Sequence, residues 1–253
     1  MKQKIKMIVS DLDGTLLQTD KTISAYTKSV LTRCRRAGVK VVYATGRGGS
    51  SESVAPAKLF DGRITMNGAT ARIGGRVVYS RLIPCQTART LLLDCDRRGL
   101  KTASECGGMH YANFPVSDKW PEITNFRITD FALHDLDAEK LYAVIRDDDD
   151  IRYIENHLPP ELYLTVSRDG LAQVMHRDAA KSKAVAALAE HWDISQNEIA
   201  AFGDDRNDID LLTYAGTGVA MANALDDVKA AADDIVLTND EDGVALWLDK
   251  NLL

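Results

Sequence analysis

The sequence carries no excess of positive charge: 31 Lys and Arg stand against 37 Asp and Glu, with a net charge of −6 and a pI near 5.4. A duplex-binding protein needs a basic face to neutralise successive phosphates, so no nucleic-acid partner is expected. A single small phosphate asks only for a local positive pocket. Long apolar runs are also lacking. No stretch approaches the ~18 apolar residues of a membrane span. The basic start Met1-Lys2-Gln3-Lys4 is followed by too few apolar residues to form a secretory signal core. No membrane partner is expected. Cysteine is scarce, and Cys34, Cys85, Cys95 and Cys106 show no C-x-x-C spacing. Two of them fall in helix-like segments and read as small core residues, which suits a reducing cytoplasm.

What is present is a chain of 253 residues with 45% hydrophobic content, enough for one large and one smaller unit with a sizeable core. Its most informative stretch is Val9-Ser10-Asp11-Leu12-Asp13-Gly14-Thr15. A short β-type run, Ile5 to Val9, ends where two carboxylates stand two residues apart. Alternate residues of an extended chain face opposite sides, so both acids reach one reacting group only if the chain turns at Leu12. Gly14 supplies the backbone freedom for such a turn. A nucleophile paired with a proton donor is the arrangement that phosphoryl transfer through an aspartyl phosphate requires. One carboxylate attacks phosphorus, a second acid protonates the leaving oxygen, and a divalent cation offsets the repulsion between anions.

Around this stretch the pattern is alternating β and α. Ser24 reads as a helix N-cap, Val30, Leu31, Cys34 and Ala37 recur at helical spacing, and Gly38 closes the segment. Val39 to Ala44 is a continuous β-branched run, as in a strand buried on both faces, and completes a right-handed βαβ unit. Ile64 to Met66 predicts a third strand, and Ala71–Ile73 with Val77–Tyr79 a hairpin around Gly74-Gly75. From about Pro84 the pattern changes to a helix, Thr87 to Arg98, and strands joined by hairpins: Lys101–Glu105, Met109–Phe114, Leu141–Ile145, Leu162–Ser167 and Ala172–His176, with an Arg168-Asp169-Gly170 turn between the last two. This reads as an α+β insertion with an antiparallel sheet. Asp147 to Asp150 precede Ile151, Ile154 and Leu158 at helical spacing, so they read as a helix start rather than a calcium site. His110, Tyr111, His134 and His176 lie in the insertion, and His110 and Tyr111 are the candidates there for substrate contact.

The alternating pattern resumes near Ala179. Lys181, Ser182 and Lys183 open a helix whose apolar face is Val185, Leu188, Ala189 and Trp192. A lysine there opposes the helix dipole unless an anion sits beside it. Glu198 to Phe202 is a further buried strand, ending in Gly203-Asp204-Asp205-Arg206-Asn207-Asp208. Parallel strands deliver their C-terminal ends to one crevice, and acids gathered there read as magnesium ligands, since a hard cation prefers oxygen donors.

These residues resemble the motifs of the haloacid dehalogenase superfamily, most nearly its Cof-type, subfamily IIB sugar-phosphatase-like branch. Asp11-Leu12-Asp13-Gly14-Thr15 matches the first motif, Asp-x-Asp-x-Thr. Thr45 at the end of the second strand, followed by Gly46, matches the second, a hydroxyl that bonds a phosphate oxygen. Lys181 matches the third-motif lysine, with Ser182 in the usual glycine place and Lys183 as the alternative register. Gly203 to Asp208 matches the fourth motif, Gly-Asp-x-x-Asn-Asp, although Asp205 stands where a small residue is common. Asn67-Gly68-Ala69, Val219 to Ala224 around Asn223, and Asp240 to Val244 also resemble Cof-type sequences. The loop Gly46, Gly48, Ser51 nearly spells a dinucleotide fingerprint, but Ser51 replaces its third glycine and the acid pair would go unexplained.

The resemblance implies an α/β protein: a doubly wound parallel sheet from residues 1–83 and 179–253, with an α+β cap inserted at 84–178. It implies Asp11 as nucleophile and Asp13 as general acid and base. Thr45, Gly46, Lys181 and Asn207 would meet phosphate or substrate, and Asp208, Asn67 and Asn223 would support them. Magnesium would be held by Asp11, the Asp13 carbonyl and Asp204. The expected reaction is hydrolysis of a small phosphorylated metabolite, a sugar phosphate, by a monomer or weak homodimer. A phosphomutase using the same residues and a receiver-type phospho-aspartate switch are the alternatives.

Overall fold

The computed structural model describes residues 5–121, 123–167 and 170–253, so the basic N-terminal start and the Arg168-Asp169 part of the expected turn lie outside the described residues. The chain divides into two units, Met1–Ser80 with Ala180–Leu253, and Arg81–Ala179.

The first unit opens with β1 (Met7–Ser10), α1 (Ala25–Arg36), β2 (Lys40–Ala44), a single turn α2 (Ser51–Val54), β3 (Gly62–Thr65) and the hairpin β4 (Thr70–Ile73) and β5 (Arg76–Ser80). The second unit contains α3 (Cys85–Arg97), β6 (Thr102–Cys106), β7 (Met109–Ala112), β8 (Phe126–Ile128), β9 (Lys140–Val144), α4 (Asp148–His157), β10 (Leu162–Val166) and β11 (Leu171–His176). The first unit then resumes with α5 (Lys181–His191), β12 (Ile199–Gly203), α6 (Ile209–Tyr214), β13 (Thr217–Met221), α7 (Asp226–Ala231), β14 (Asp234–Val236) and α8 (Gly243–Leu252).

The first unit is an α/β fold. Its sheet runs β14-β13-β12-β1-β2-β3-β4-β5, parallel through β3 and antiparallel over the edge hairpin. The apolar runs without alternation lie at its centre: every residue of β1 and β12 is buried. The chain leaves β1 toward β2 on one side and later leaves β12 toward β13 on the other. Right-handed crossovers in opposite directions put α1 and α6 on opposite faces, and α1 packs on α8 while α5 packs on α6. The reversal of strand order falls between β1 and β12, where a doubly wound sheet opens its binding crevice. The register sets Ser10 beside Phe202 and Tyr43, so Asp11, Thr45 and Asp204 leave the sheet at one end.

Ser24 caps α1 by accepting from the Thr27 N–H, as expected. The third strand ends a residue earlier than its apolar run suggested. Met66 and Asn67 take left-handed backbone (φ 51° and 49°), which turns the chain out of the sheet before Asn67.

The second unit has a sheet ordered β10-β11-β9-β6-β7-β8, and it corrects the expectation of a purely antiparallel insertion. β8 pairs with β7 in parallel. β8 carries no period-2 signal: it is three residues long, with Arg127 and Ile128 exposed, and its pairing comes from a crossover rather than a hairpin. Helices α3 and α4 bury Leu91, Leu92, Cys95 and Ile154 against Leu141, Ala143 and Val174. Asp147 is the N-cap of α4, accepting from the Asp150 N–H. Asp150 goes further than a helix start: its fully buried carboxylate accepts from Arg146 Nε at 2.9 Å and Arg98 Nε at 2.7 Å. Among the described residues no helix is long and apolar enough to cross a membrane.

The hydrogen bonds from Arg146, then those from Arg98, hold Asp150 well below the usual carboxylate range. A depressed carboxyl stabilises the fold in full above its unfolded value of about 4 and loses that contribution as the pH falls below it. Asp150→Asn is therefore expected to lower the urea midpoint at neutral pH, with the gap from wild type narrowing as pH drops below about 4. A gap of constant size across pH would mean that the charge of Asp150 is not what stabilises this unit.

Candidate active site

Beyond β1 the Asp11 N–H still bonds to the Phe202 carbonyl at 3.0 Å, so the first acid remains in register with β12. The turn comes at Leu12, whose side chain is buried and whose carbonyl accepts from the N–H groups of Leu16 and Leu17 at 3.1 and 2.8 Å. Gly14 then adopts φ +76° and passes so close to Asp204 that a Cβ at this position would lie 2.2 Å from Asp204 Oδ2. Only glycine allows both the backbone and the approach.

Three carboxylates meet at this point. Asp11, Asp204 and Asp208 each offer an oxygen within 4.8 Å of the others. Lys181 reaches in from the first turn of α5, its Nζ 2.6 Å from Asp11 Oδ1 and 2.6 Å from Asp208 Oδ1. The anion that this helix start calls for is thus supplied by the protein. Asp210 adds a third carboxylate, accepting from the Ser182 N–H at 3.0 Å. Lys183, the alternative register, lies on the exposed side of the helix. Gly68 brings the preceding loop against the α5 start: with φ +102°, its Cβ would fall 2.3 Å from the Ala180 backbone.

The oxygens are unequally committed. Asp208 spends Oδ1 on Lys181 and Oδ2 on the N–H groups of Asp204 and Asp205. Asp204 Oδ1 accepts from Thr15 Oγ1 at 2.6 Å. Burial pushes Asp11 up to about 7, against the pull of Lys181 and with help from Asp208. Burial likewise lifts Asp204 to about 6, opposed by the Thr15 bond. Burial disfavours the Lys181 ammonium, yet Asp11 and Asp208 override it and hold its pKa above the ordinary range. Three carboxylates gather around one ammonium, and the acids resist ionising together. A divalent cation with oxygen donors relieves that excess, and the all-carboxylate donor set fits magnesium. Asp11 and Asp204 are the residues free to hold it, because Asp208 has both oxygens engaged.

Asp13 lies apart from this cluster by its side chain; its backbone carbonyl is the group that the family resemblance assigns to the metal. Its carboxylate is gripped by Arg47, Nε to Oδ2 at 2.5 Å and NH2 to Oδ1 at 2.7 Å, and by Lys21 Nζ at 2.8 Å. The Arg47 hydrogen bonds, then that of Lys21, hold Asp13 down to about 2 and favour its ionised form. Sequence reasoning assigns no role to Arg47 or Lys21, and Thr15 enters it only as part of the first motif. Arg47 follows Thr45-Gly46 directly and could have been noticed, whereas nothing local marks Lys21.

A cleft of about 500 Å³ opens on Asp11, Asp13, Thr45, Gly46, Arg47, Asp204, Asp205 and Asn207. Thr45 is buried at its edge, and its Oγ1 accepts from the Arg47 N–H. Asn207 Nδ2 donates to Asn67 Oδ1 at 2.9 Å, joining the fourth-motif loop to the turn after β3. Lys181 sits behind Asp11, 1% exposed, with two of its three protons committed. Asn223 donates to the Gly14 carbonyl at 2.7 Å. In the second unit His110 is taken up by packing: its Nδ1 lies 2.9 Å from the Tyr142 hydroxyl and its ring is buried. Tyr111 stacks edge-on against His134, and His176 Nδ1 accepts from the Asp178 N–H.

A doubly wound sheet with acids, a buried lysine and a threonine at its switch point defines an α/β enzyme of the phosphoryl-transfer kind. Residues 8–248 match the family model described as haloacid dehalogenase-like hydrolase. The phosphatase YwpJ of Bacillus subtilis is 31% identical, with 98% of this chain and 100% of the relative covered. A second Bacillus subtilis protein, the 5-amino-6-(5-phospho-D-ribitylamino)uracil phosphatase YcsE, is 32% identical over 95% of this chain and 93% of its own. A solved subclass IIB sugar phosphatase of the superfamily superposes with a TM-score of 0.82 at 26% identity, covering 97% of this chain and 98% of that one. The chain belongs to the haloacid dehalogenase-like hydrolases and is an enzyme of their phosphatase kind. That membership sets aside the receiver-type switch.

Asp11 and Asp204 have folded values raised above the ordinary 3.8, to about 7 and about 6. Raised carboxyls stabilise the fold while protonated and withdraw that support as pH rises through their folded values. In EDTA the urea midpoint should fall between about pH 5 and pH 8, and magnesium should restore it more at pH 8 than at pH 5. A flat profile in EDTA, or a magnesium effect independent of pH, would count against these two residues as the metal's partners.

Proposed function

We propose that this enzyme is a magnesium-dependent phosphatase that hydrolyses a small phosphomonoester, a sugar or polyol phosphate, through an aspartyl phosphate on Asp11. The observation that carries the reading is the position of Asp11: a carboxylate at the floor of a cleft, flanked by Asp204, backed by Lys181, with Thr45 and Gly46 on the cleft wall. The sugar-phosphate class is supported by the solved sugar phosphatase and by the relative named for a phosphoribitylamino substrate.

Asp11, the Asp13 carbonyl and Asp204 would hold magnesium, which supplies positive charge that lets an anionic nucleophile approach an anionic phosphate. An Asp11 carboxylate oxygen attacks phosphorus as the ester P–O bond breaks. The departing alkoxide takes a proton from Asp13. A water then attacks the phosphorus of the aspartyl phosphate, Asp13 takes its proton, and inorganic phosphate leaves with the Asp11 carboxylate restored. Lys181 keeps Asp11 paired through the cycle, and Thr45 and Asn207 orient phosphate oxygens.

This cycle uses Asp13 in both protonation states, while Arg47 and Lys21 favour the ionised one. The ionised form is ready for the second step. The first step requires that the Arg47 grip loosen, and an arriving phosphate is the natural competitor for a guanidinium, since both its planar donors match phosphate oxygens. The inserted unit holds none of these groups, and we assign substrate selectivity to it.

The two acids should fail differently. Asp11→Asn removes the nucleophile, so no phosphoenzyme forms and turnover drops to background. Asp13→Asn should lose about 10²–10⁴-fold on an alkyl phosphate, the usual worth of general acid–base assistance. With p-nitrophenyl phosphate the leaving group needs little protonation, so this variant should accumulate phosphoenzyme, read by mass spectrometry as the gain of one phosphoryl group. Labelling that survives Asp11→Asn would overturn the assignment, and release of inorganic phosphate distinguishes hydrolysis from transfer to a sugar hydroxyl.

A further inference from the structure

The stretches around Asn223 and Asp240 contribute no side chain to the cleft, yet each reaches back more than two hundred residues to the loop that carries Asp13. Asn223 Nδ2 donates to the Gly14 carbonyl at 2.7 Å. Asn223 Oδ1 accepts from the Asn239 N–H at 3.1 Å, and Asn239 Nδ2 donates to the Leu17 carbonyl at 2.9 Å. The Asp240 carboxylate accepts from both the N–H and the hydroxyl of Thr19, each at 2.7 Å. Asp242 accepts from Thr27 Oγ1 at 2.8 Å, where the loop joins α1.

We infer that Asn223, Asn239 and Asp240 are positioning residues for Asp13, acting through the loop of residues 14–22; this rests on the phosphatase reading above. Three features of the contacts support it. First, the two carbonyls gripped by asparagine belong to Gly14, next to Asp13, and to Leu17, the partner of Asp13 in the bridge that closes the turn on which Asp13 stands. Second, the same loop doubles back through the Gln18 N–H bond to the Thr22 carbonyl at 2.9 Å and returns Lys21 Nζ to Asp13 at 2.8 Å. Displacing the loop therefore moves Asp13 and one of its cations together. Third, the gripping segment is itself held firmly: Thr238 and Glu241 form a reciprocal capping box, and Gly243 lies so close to Leu237 that a Cβ would fall 2.2 Å from its carbonyl oxygen. Asp11, by contrast, is fixed by the sheet and by Lys181, and none of these contacts reaches it.

A clamp on the turn that carries Asp13 has a signature that general stabilisation lacks. A misplacement of about 1 Å can cost on the order of 10²-fold in rate, and here it should fall on the proton-transfer step. In Asn239→Ala and Asp240→Ala, kcat on the fastest alkyl phosphate of a sugar- and polyol-phosphate panel should fall by about ten- to a hundredfold. KM for that ester should be unchanged. The burst of p-nitrophenolate from p-nitrophenyl phosphate, which reports attack by Asp11 with little need for an acid, should fall much less than the alkyl phosphate turnover. Asp240→Asn can still accept from the Thr19 N–H and can donate to its hydroxyl, so it should restore alkyl phosphate turnover. Thermal melts of each variant accompany the kinetics. Equal losses on the burst and on the alkyl phosphate, or losses that follow the melting temperature with no rescue by Asp240→Asn, would overturn the inference while leaving the phosphatase reading intact. Full activity in both alanine variants would overturn it as well. A wild type with neither burst nor turnover would instead remove the phosphatase reading and the inference with it.

Discussion

The site depends on one buried ammonium shared by two carboxylates. Lys181 lies 2.6 Å from both Asp11 and Asp208 with almost no exposure, and removing one member of such a buried set typically costs about 3–5 kcal/mol. That demand constrains the surrounding chain. The start of α5 has to approach the ends of β1 and β12, which Gly68 permits by yielding its side-chain space to the Ala180 backbone. Asp208 has to hold still, so its second oxygen is tied to the N–H groups of Asp204 and Asp205. The fourth-motif loop is thereby folded around the lysine's partner, and Asp204 faces the cleft as a consequence.

Two carboxylates of one short motif meet opposite environments. Asp11, buried among acids, is pushed up to about 7, while Asp13, half-exposed between Arg47 and Lys21, is held down to about 2. Environments that separate the acidities of paired titratable groups mark division of labour in acid–base chemistry. The resting order is the reverse of what the first step of the proposed cycle requires. Asp11 becomes a competent anion once positive charge enters the cluster, and Asp13 becomes a competent acid once Arg47 is drawn away. Magnesium and the substrate phosphate would bring those two changes.

Much of the fold was legible because its signals are local. Continuous apolar runs marked β1, β2 and β12 as buried parallel strands, and an abrupt end in Asp-Leu-Asp-Gly or Gly-Asp-Asp marked their C-terminal ends. β8 was invisible because three residues with two exposed side chains carry no period, and its partner is chosen by a crossover. The run Asp147 to Asp150 was readable as a helix start from composition, but the burial of Asp150 between Arg98 and Arg146 depends on a helix fifty residues earlier.

Local patterning along the chain suffices for its α/β character, the ends of its central strands and the residue types gathered there, because hydrophobic period and turn chemistry act over a few neighbouring residues. How the charges pair is settled only when the chain folds. That Lys181 rather than Lys183 points into the acids follows from which side of α5 faces the sheet ends. That Arg47 and Lys21 take the Asp13 carboxylate, and that Asn223 and Asn239 hold the carbonyls of Gly14 and Leu17, are contacts between segments that the chain brings together only by folding. Electrostatic energy depends on separation and burial in space, and neither is encoded in the distance between residues along the chain.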